Sequence, residues 1–328
     1  MNCLGCFKPS KDTYCPKCKK LLFGKEKVSF ILDFDKKEFL SKSVELSTHL
    51  SISGVQDKIS LKIEGGKLVP TAKDGRYILK PIPLMAYGEL IEDVAKNEHF
   101  TMQLASQVFG LETAHNGLIA FCDGELAYIT KRFDRVESRK IHQEDFCSLA
   151  GQTKGTNGKN YKYDYSYEQI GELIKKYLPT YKLELLKFFK LVLFNYLVGN
   201  GDAHLKNFSV IQRRSKEYGV SPAYDLLSSS IHLPNESRTA LELFEEYESE
   251  SFEANGFYAY DDFMVFSTRL GLNRKMSEHI VKDFLSKKEE TLSLLGESFL
   301  SVEGKERYEA LFLDRLRAVG YSFESERK

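Results

Sequence analysis

The sequence of 328 residues contains no run of 18 apolar residues and no tryptophan, and it has as many acidic as basic side chains, 47 of each. Without a long apolar run there is no candidate for a membrane-spanning helix. A formal net charge of zero gives no long-range field that would attract nucleic acid or an anionic membrane. The opening stretch MNCLGCFKPSKDTYC lacks the apolar core of a signal peptide. We therefore expect a cytoplasmic protein with no membrane partner and no direct nucleic-acid partner.

Cysteine is scarce outside the N-terminus. Four of the six cysteines lie within the first 18 residues: Cys3, Cys6, Cys15 and Cys18. In a reducing compartment these do not predict disulfides, whereas two close pairs of thiolates suit a structural Zn²⁺ with tetrahedral ligands. Reduced cysteines without a metal are the alternative. Cys122 and Cys147 lie in apolar surroundings, which predicts two buried thiols.

The apolar pattern changes along the chain and predicts an α+β protein with two lobes. Residues 1–25 form a small Cys-rich appendage. Residues 26–135 contain short apolar or alternating runs, such as KVSFILDF (27–34), and one segment of helical spacing that ends near Gly110; this predicts a β-rich N-terminal lobe with one helix. Residues 136–328 have mainly helical spacing and predict a helical C-terminal lobe. The polar stretch 151–166 predicts a mobile surface loop between the two parts.

The segment LVGNGDAHLKNFSVI (197–211) places Asp202, His204 and Asn207 between two apolar runs, and Asp225 follows in SPAYDLLSSS. Kinases use this order: a carboxylate that orients the hydroxyl nucleophile, then an amide and a second carboxylate that hold Mg²⁺. A loop that Asp202 and Asn207 merely cap is the alternative. No second histidine stands at ligand spacing from His204, so we expect it to shape the loop by hydrogen bonding rather than bind a metal.

Two charged residues upstream favour the kinase interpretation. Lys80 ends the apolar strand YILKP, where a buried ammonium needs an anionic partner. Glu98 lies on the predicted helix, and a strand lysine followed by a helix glutamate is how kinases hold the α and β phosphates. Either residue alone is also compatible with an exposed surface position. Before them, SGVQ offers Gly54 beside small residues as a weak phosphate loop.

The stretch YITKRFDR ends the predicted N-terminal lobe. The segment that joins the lobes of a kinase binds adenine, so Phe133 is a candidate adenine contact and Lys131 a backbone contributor. An aromatic residue that simply belongs to the core is the alternative. We expect Arg132, Asp134 and Arg135 to fix this hinge by salt bridges.

Taken together, these strings resemble the HipA-like family of serine/threonine kinases, which are toxins of bacterial toxin–antitoxin modules. The matching strings span about residues 45 to 230 and are SGVQDKISL, YILKP, NEHFTMQLA, KRFDR, HQEDFCSLAG, GNGDAHLKNFSV and SPAYDLL.

The resemblance implies a bilobal kinase fold that uses ATP and Mg²⁺, with Asp202, Lys80 and Glu98 as catalytic residues and Asn207 and Asp225 as Mg²⁺ ligands. The implied cofactor-binding residues are Ser53, Gly54, Val55, Lys80, Lys131, Phe133, His204, Asn207 and Asp225. It also implies a protein substrate in translation, such as an aminoacyl-tRNA synthetase, and an antitoxin of the helix-turn-helix type.

The chain lacks the N-terminal subdomain that longer members of this family carry before the SGVQ string, and so resembles the short HipT-type toxins of three-component modules. This implies a further partner, a small protein that resembles the missing subdomain. A Ser-x-Ser pair is autophosphorylated in such short forms, and Ser51 and Ser53 match it; turn residues are the alternative. A second functional hypothesis is a catalytically weak nucleotide-binding regulator that binds protein or nucleic acid through its N-terminal cysteines.

Overall fold

An antiparallel sheet forms the N-terminal lobe of this computed structural model, which describes residues 1–47, 58–83, 88–136, 139–213 and 216–323. Its strands are β1 (Ile59–Glu64), β2 (Lys67–Pro70), β3 (Tyr77–Lys80), β4 (Asn116–Ala120) and β5 (Leu126–Lys131), in the order β2-β1-β3-β5-β4. Gly65 and Gly66, both with positive φ, make the two-residue turn from β1 to β2, which requires left-handed backbone. Because β3 is the central strand, its last residue, Lys80, is buried.

The helices of this lobe are α1 (Pro16–Phe23), α2 (Lys36–Ser47) and α3 (Val94–Gln107), the last preceded by a 3-10 turn at Ile91–Asp93. The segment of helical spacing in the sequence predicts α3, and Gly110, with φ 63°, follows its end. α3 packs across β4 and β5 and also contacts the helical lobe. Its residues 97–102 are all buried. α3 is therefore enclosed between the sheet and the second lobe.

The segment KVSFILDF and the helix that follows it depart from the sequence prediction. Among the described residues, this predicted strand makes only one isolated bridge, between Ile31 and Ala120. The Asp35 carboxylate accepts from the Glu38 N–H at 2.8 Å and the Glu38 carboxylate accepts from the Asp35 N–H at 3.1 Å. Such a reciprocal pair caps a helix N-terminus, so the chain turns into α2, which the apolar pattern did not predict, instead of extending along the edge of β4.

Residues 1–25 pack against the sheet of the N-terminal lobe. The Leu118 N–H donates to the Leu4 carbonyl at 2.9 Å, and the Tyr14 hydroxyl donates to the Leu118 carbonyl. Of the two predicted buried thiols, Cys147 is buried as expected, whereas Cys122 is exposed. Phe121 enters the core, whereas Cys122 begins the turn between β4 and β5, which the Gly124 N–H closes on the Phe121 carbonyl at 3.0 Å, and so it faces solvent.

The second lobe is built mainly from helices, as the sequence predicts. Its helices are α4 (Phe146–Leu149), α5 (Lys154–Asn157), α6 (Tyr167–Tyr177), α7 (Tyr181–Leu197), α8 (Glu250–Asn255), α9 (Tyr260–Arg269), α10 (Arg274–Ser286), α11 (Lys288–Glu297) and α12 (Val302–Gly320), with 3-10 turns at Leu205–Asn207 and Ser229–Ile231. Short strands accompany them: β6 (Arg135–Val136) pairs with β7 (Arg139–Lys140), and β9 (Ser209–Gln212) lies between β8 (Gln143–Asp145) and β10 (Tyr218–Val220).

α7 carries the chain to the polar segment 197–211. It is buried on most of its surface, from Phe188 onward almost without interruption. Gly199, with φ 62°, turns the chain out of the helix. The polar stretch 151–166 is largely exposed, as expected, but the Leu205 N–H donates to the Lys162 carbonyl at 3.2 Å and so joins this stretch to the polar segment. Within the described ranges, no helix is long and apolar enough to cross a membrane.

Two helical glycines give a matched test of core packing. A Cβ added to Gly171 on α6 would lie 2.2 Å from Leu270 Cδ2, and Leu270 is fully buried. We expect Gly171→Ala to lower the free energy of unfolding by about 1–3 kcal/mol. Gly296 on α11 has open space at the same position, so Gly296→Ala should raise it by about 0.5–1 kcal/mol. Urea denaturation measures both, and equal effects of the two substitutions would contradict the packing described.

Candidate active site

Lys80, Glu98 and Asp225 meet at the centre of the molecule. The Lys80 ammonium lies 2.6 Å from Glu98 Oε1 and also forms an ion pair with Asp225 Oδ1. Lys80 and Glu98 are almost fully buried, whereas a third of the Asp225 side chain is exposed. The end of β3, the middle of α3 and the segment after β10 thus bring together three residues that are far apart in sequence.

The charges of this cluster depend on one another. Burial alone would lower the pKa of Lys80, but the carboxylates of Asp225 and Glu98 raise it above its ordinary value. Burial raises the pKa of Glu98 to about 7 although Lys80 opposes the shift. Burial would also raise the pKa of Asp225, yet the ammonium groups of Lys80 and Lys58 hold it below its usual range. Lys80 and Asp225 are therefore kept in their charged forms.

The polar segment after α7 presents Asp202 to solvent. Half of its side chain is exposed, and Oδ1 accepts a hydrogen bond from the Tyr163 hydroxyl. The Asp202 N–H donates to Asn200 Oδ1 at 3.2 Å, and Asn200 in turn donates to Asn195 on α7 at 2.9 Å. The backbone of Asp202 is therefore held by a chain of hydrogen bonds that begins in a buried helix, and its carboxylate is held by Tyr163.

Two atoms of this segment have no hydrogen-bond partner among the described residues although they are buried, Asn207 Oδ1 and His204 Nδ1. An unsatisfied buried amide oxygen is costly, and an amide oxygen and a carboxylate such as Asp225 are hard oxygen donors of the kind that Mg²⁺ prefers. Asp225 has φ 55°, a left-handed conformation that Asp tolerates better than most residues. The donors present thus fit Mg²⁺.

The carboxylates of Asp202 and Asp225 both act on the imidazole of His204. Burial lowers the pKa of its imidazole, while Asp202 and Asp225 act in the opposite direction. Its Nε2 is 3.8 Å from Asp202 Oδ1, and its ring packs edge-on against Tyr163 at 5.1 Å. The His204 N–H donates to the Asp202 carbonyl at 2.8 Å and its carbonyl accepts from the Asn207 N–H at 2.9 Å. His204 therefore shapes this part of the loop through its backbone hydrogen bonds and through packing against Tyr163.

The hinge contains the predicted salt bridges. The Asp134 carboxylate accepts from Arg132 at 2.8 Å and from Arg135 at 2.7 Å. The ring of Phe133 lies 5.6 Å from that of Tyr224, next to Asp225. Lys131 donates from Nζ to the Leu21 carbonyl at 3.2 Å, and its N–H is bonded within the sheet to the His115 carbonyl.

Two residues near the site are missing from the sequence prediction. Lys58 is partly buried. Burial lowers the pKa of its ammonium group, and the Asp225 carboxylate opposes this shift. The pairing of Ile59 with Leu79 places Lys58 beside Lys80, but this register is not readable from composition or spacing. Tyr163 lies in the polar stretch 151–166. An aromatic residue among polar ones is the feature of the sequence that could have identified it. The predicted phosphate-loop and autophosphorylation residues, Ser51 and Ser53–Val55, lie outside the described residues.

The four N-terminal cysteines converge as their spacing predicts. Their sulfur atoms all lie within 4.8 Å of one another, and those of Cys6 and Cys15 are 3.9 Å apart. Four thiolates at about 2.3 Å from one Zn²⁺ would be about 3.8 Å apart. Cys3 Sγ accepts N–H groups from Gly5 at 3.3 Å and from Cys15 at 3.1 Å, contacts that stabilise metal-bound sulfur.

Comparison with known sequences identifies the family. Residues 50–292 match the family model described as the HipA-like C-terminal domain. A putative kinase of Haemophilus influenzae is 30% identical over 285 residues, which cover 82% of this chain and 81% of the relative. The serine/threonine-protein kinase toxin HipA of Shewanella oneidensis is 29% identical over 247 residues, and the aligned part is 69% of this chain but only 53% of that toxin.

Solved structures share the fold. The complex of HipA, HipB and operator DNA from Shewanella oneidensis matches with a TM-score of 0.61 and 22% identity over 82% of this chain and 65% of the matched one. The Helicobacter pylori proinflammatory kinase CtkA matches with a TM-score of 0.54 and 15% identity over 89% of this chain and 94% of its own. They confirm the predicted bilobal, kinase-like α+β fold. Given the family model and the 30% identical relative, this chain belongs to the HipA-like kinase family.

Proposed function

We propose that this protein is an ATP- and Mg²⁺-dependent protein serine/threonine kinase and acts as a HipA-like toxin. The convergence of Lys80, Glu98 and Asp225 is the observation that carries the proposal. A buried lysine between two carboxylates is costly to build, and phosphate oxygens are natural competitors for it. Asp202 and Asn207 complete the arrangement on the neighbouring segment.

The residues have distinct roles in phosphoryl transfer. Asp202, half exposed, orients the hydroxyl of the substrate and accepts its proton. Lys80, held by Glu98, binds phosphate oxygens of ATP, while Asn207 and Asp225 are the residues that would hold Mg²⁺. When bound, Mg²⁺ neutralises negative charge on the phosphates.

The remaining residues position the nucleotide. Phe133 and Lys131 at the hinge are proposed to contact adenine, and His204 lines the nucleotide site next to Asn207. Ser53, Gly54 and Val55 are proposed to contact the phosphates from the SGVQ string. Ser51 and Ser53 are the proposed sites of autophosphorylation.

The proposal extends to partners. The substrate is a protein of the translation machinery, such as an aminoacyl-tRNA synthetase, and the chain works in the cytoplasm. A helix-turn-helix antitoxin restrains it, together with a small protein that resembles the N-terminal subdomain of longer HipA proteins. Support comes from the relative named as a kinase toxin and from the neighbour whose title describes a complex with HipB and operator DNA.

The cofactors of this proposal are ATP, Mg²⁺ and a structural Zn²⁺. The four-cysteine site supports the zinc assignment, since its sulfur atoms lie within 4.8 Å of one another and a tetrathiolate set is typical of structural zinc.

Replacing the proposed base tests the chemistry. We expect Asp202→Asn to lower the rate of phosphate transfer to protein by about 10²- to 10⁴-fold, because the amide cannot accept the hydroxyl proton. Tyr163→Phe is the matched control: it removes the hydroxyl bonded to Asp202 and leaves the carboxylate, so transfer should persist. The readouts are radiolabel from ATP and the intact mass of the purified chain. An Asp202→Asn protein with the transfer rate and bound phosphate of the wild type would refute the assignment.

Nucleotide binding tests the metal ligands. ATP with Mg²⁺ at 100 times its dissociation constant should add about 2.7 kcal/mol to the free energy of unfolding and raise the melting temperature. We expect Asp225→Asn to reduce this Mg²⁺-dependent shift, because a carboxylate ligand is lost. Asp123→Asn serves as a control on an exposed turn away from the site. No shift with the wild-type chain would instead favour a regulator that does not use nucleotide.

Metal content tests the cysteine site. The purified protein should contain one Zn²⁺ per chain, measured by mass spectrometry of the element, and Cys15→Ser should lower that content because it removes one of four ligands. Cys122→Ser, an exposed cysteine outside the cluster, should leave it unchanged. Equal zinc contents in the two variants would show that the cluster does not hold the metal.

A further inference from the structure

We propose that the N-terminal four-cysteine module, residues 1–25, is a metal-dependent positioning element for Glu98. In its metal-bound form the module holds α3 where Glu98 meets Lys80, so the metal controls the catalytic arrangement as well as local folding. This inference rests on the proposed kinase function and concerns the regulation of the same site.

The chain makes a tight turn at the first cysteine pair of the cluster. Both the Cys6 and the Phe7 N–H groups donate to the Cys3 carbonyl, at 3.3 and 3.0 Å. Position 5 accepts only glycine, because a Cβ there would lie 2.7 Å from Cys18 Cβ and 3.0 Å from its sulfur. The second cysteine pair is thus packed directly against the turn of the first.

Phe7 carries the effect of this turn into the interior. It has φ 66°, a left-handed conformation that is unfavourable for an aromatic residue. Its ring is 1% exposed and belongs to the main core rather than to the core that holds the rest of the module. It lies 4.8 Å from the ring of His99, 6.2 Å from Phe100 and 5.6 Å from Phe299. The turn therefore holds a strained residue whose side chain contacts α3 beside Glu98.

The module contacts α3 at a second point and also contacts both lobes. Gln107, the last residue of α3, donates to the Cys6 carbonyl at 3.3 Å. Asn2 donates to the Glu297 carboxylate at 2.9 Å on α11 of the helical lobe, and Leu4 pairs with Leu118 on β4. Residues 1–25 consequently connect the sheet, α3 and the helical lobe.

The opposite side of α3 is fixed by the segment after Asp225. Asn97 donates to the Ser228 carbonyl at 2.9 Å and accepts from the Ser228 N–H at 3.1 Å. Glu98 therefore lies between two attachments, Asn97 on one side and the His99–Phe100 contact with Phe7 on the other. Loss of the Phe7 contact removes the packing against His99 and Phe100, the two α3 residues that follow Glu98.

Bound Zn²⁺ would stabilise the module, because residues 1–25 are too few to form an independent core. Without it, the turn and the left-handed Phe7 are held by the hydrogen bonds to the Cys3 carbonyl and by packing, and no metal–sulfur bonds join the two cysteine pairs. α3 then gains freedom, the Lys80–Glu98 ion pair weakens, and Lys80 is left with Asp225, the proposed Mg²⁺ ligand. The expected outcome is a folded protein with a disordered catalytic arrangement.

Hydrogen exchange of the full chain, followed by mass spectrometry, tests the coupling directly. In Cys15→Ser, amides of α3 should exchange faster, while those of α9 and α10, which pack on each other and on α12, should keep the wild-type rate. The kcat for protein phosphorylation should fall by about 10- to 100-fold, the cost of a misplaced catalytic group. Cys122→Ser should match the wild type in both measurements.

A second variant separates metal binding from positioning. Phe7→Gly relieves the left-handed strain and keeps all four cysteines, so zinc should remain bound, yet α3 should exchange faster and kcat should fall. Phe7→Leu, which restores an apolar side chain, should recover part of both. Unchanged α3 exchange in zinc-bound Phe7→Gly and in zinc-depleted Cys15→Ser would overturn the inference. A wild-type chain without kinase activity would instead refute the proposed function, and the exchange rates of α3 would still decide on the positioning role.

Discussion

The arrangement of the two lobes depends on one buried cation. Lys80 is removed from water at the end of the central strand, and a lone ammonium there would be strongly unfavourable. Glu98 from α3 and Asp225 from the helical lobe supply the compensating charge. Because each partner comes from a different element, the ion pairs form only when sheet, helix and second lobe are all in place. The charge therefore specifies the relative position of the three elements.

The position of α3 decides whether Glu98 reaches Lys80. Several buried residues of α3 are polar, and their side chains have partners in other parts of the molecule. Asn97 bonds Ser228, His99 lies 3.0 Å from the Asn116 side chain, and Thr101 lies 3.1 Å from the Tyr308 hydroxyl. A helix with an apolar surface could slide or rotate at little cost. Hydrogen bonds of this kind are directional, so they fix the helix in one register.

The fold and much of the candidate site could be predicted from the sequence, because both follow from the order of residue types along the chain. Apolar periodicity predicts α3 and α7, and the order Lys80, Glu98, Asp202, Asn207, Asp225 follows the order of elements in a kinase. What escaped prediction depends on contacts between distant segments. Lys58 joins the site through the register of β1 on β3, Tyr163 through docking of a polar loop, and Phe7 contacts α3 through the turn at the first cysteine pair. Such positions have no periodic signal of their own.

The hydrogen bond from Tyr163 to Asp202 has a consequence for access to the carboxylate. The phenol hydroxyl donates to Oδ1 of a side chain that is half exposed, so any other hydroxyl that reaches this oxygen must share it with Tyr163 or displace Tyr163. The Tyr163 ring also packs against His204, and it belongs to the polar stretch 151–166. Access to Asp202 is therefore coupled to the placement of a surface loop that is distant from it in sequence.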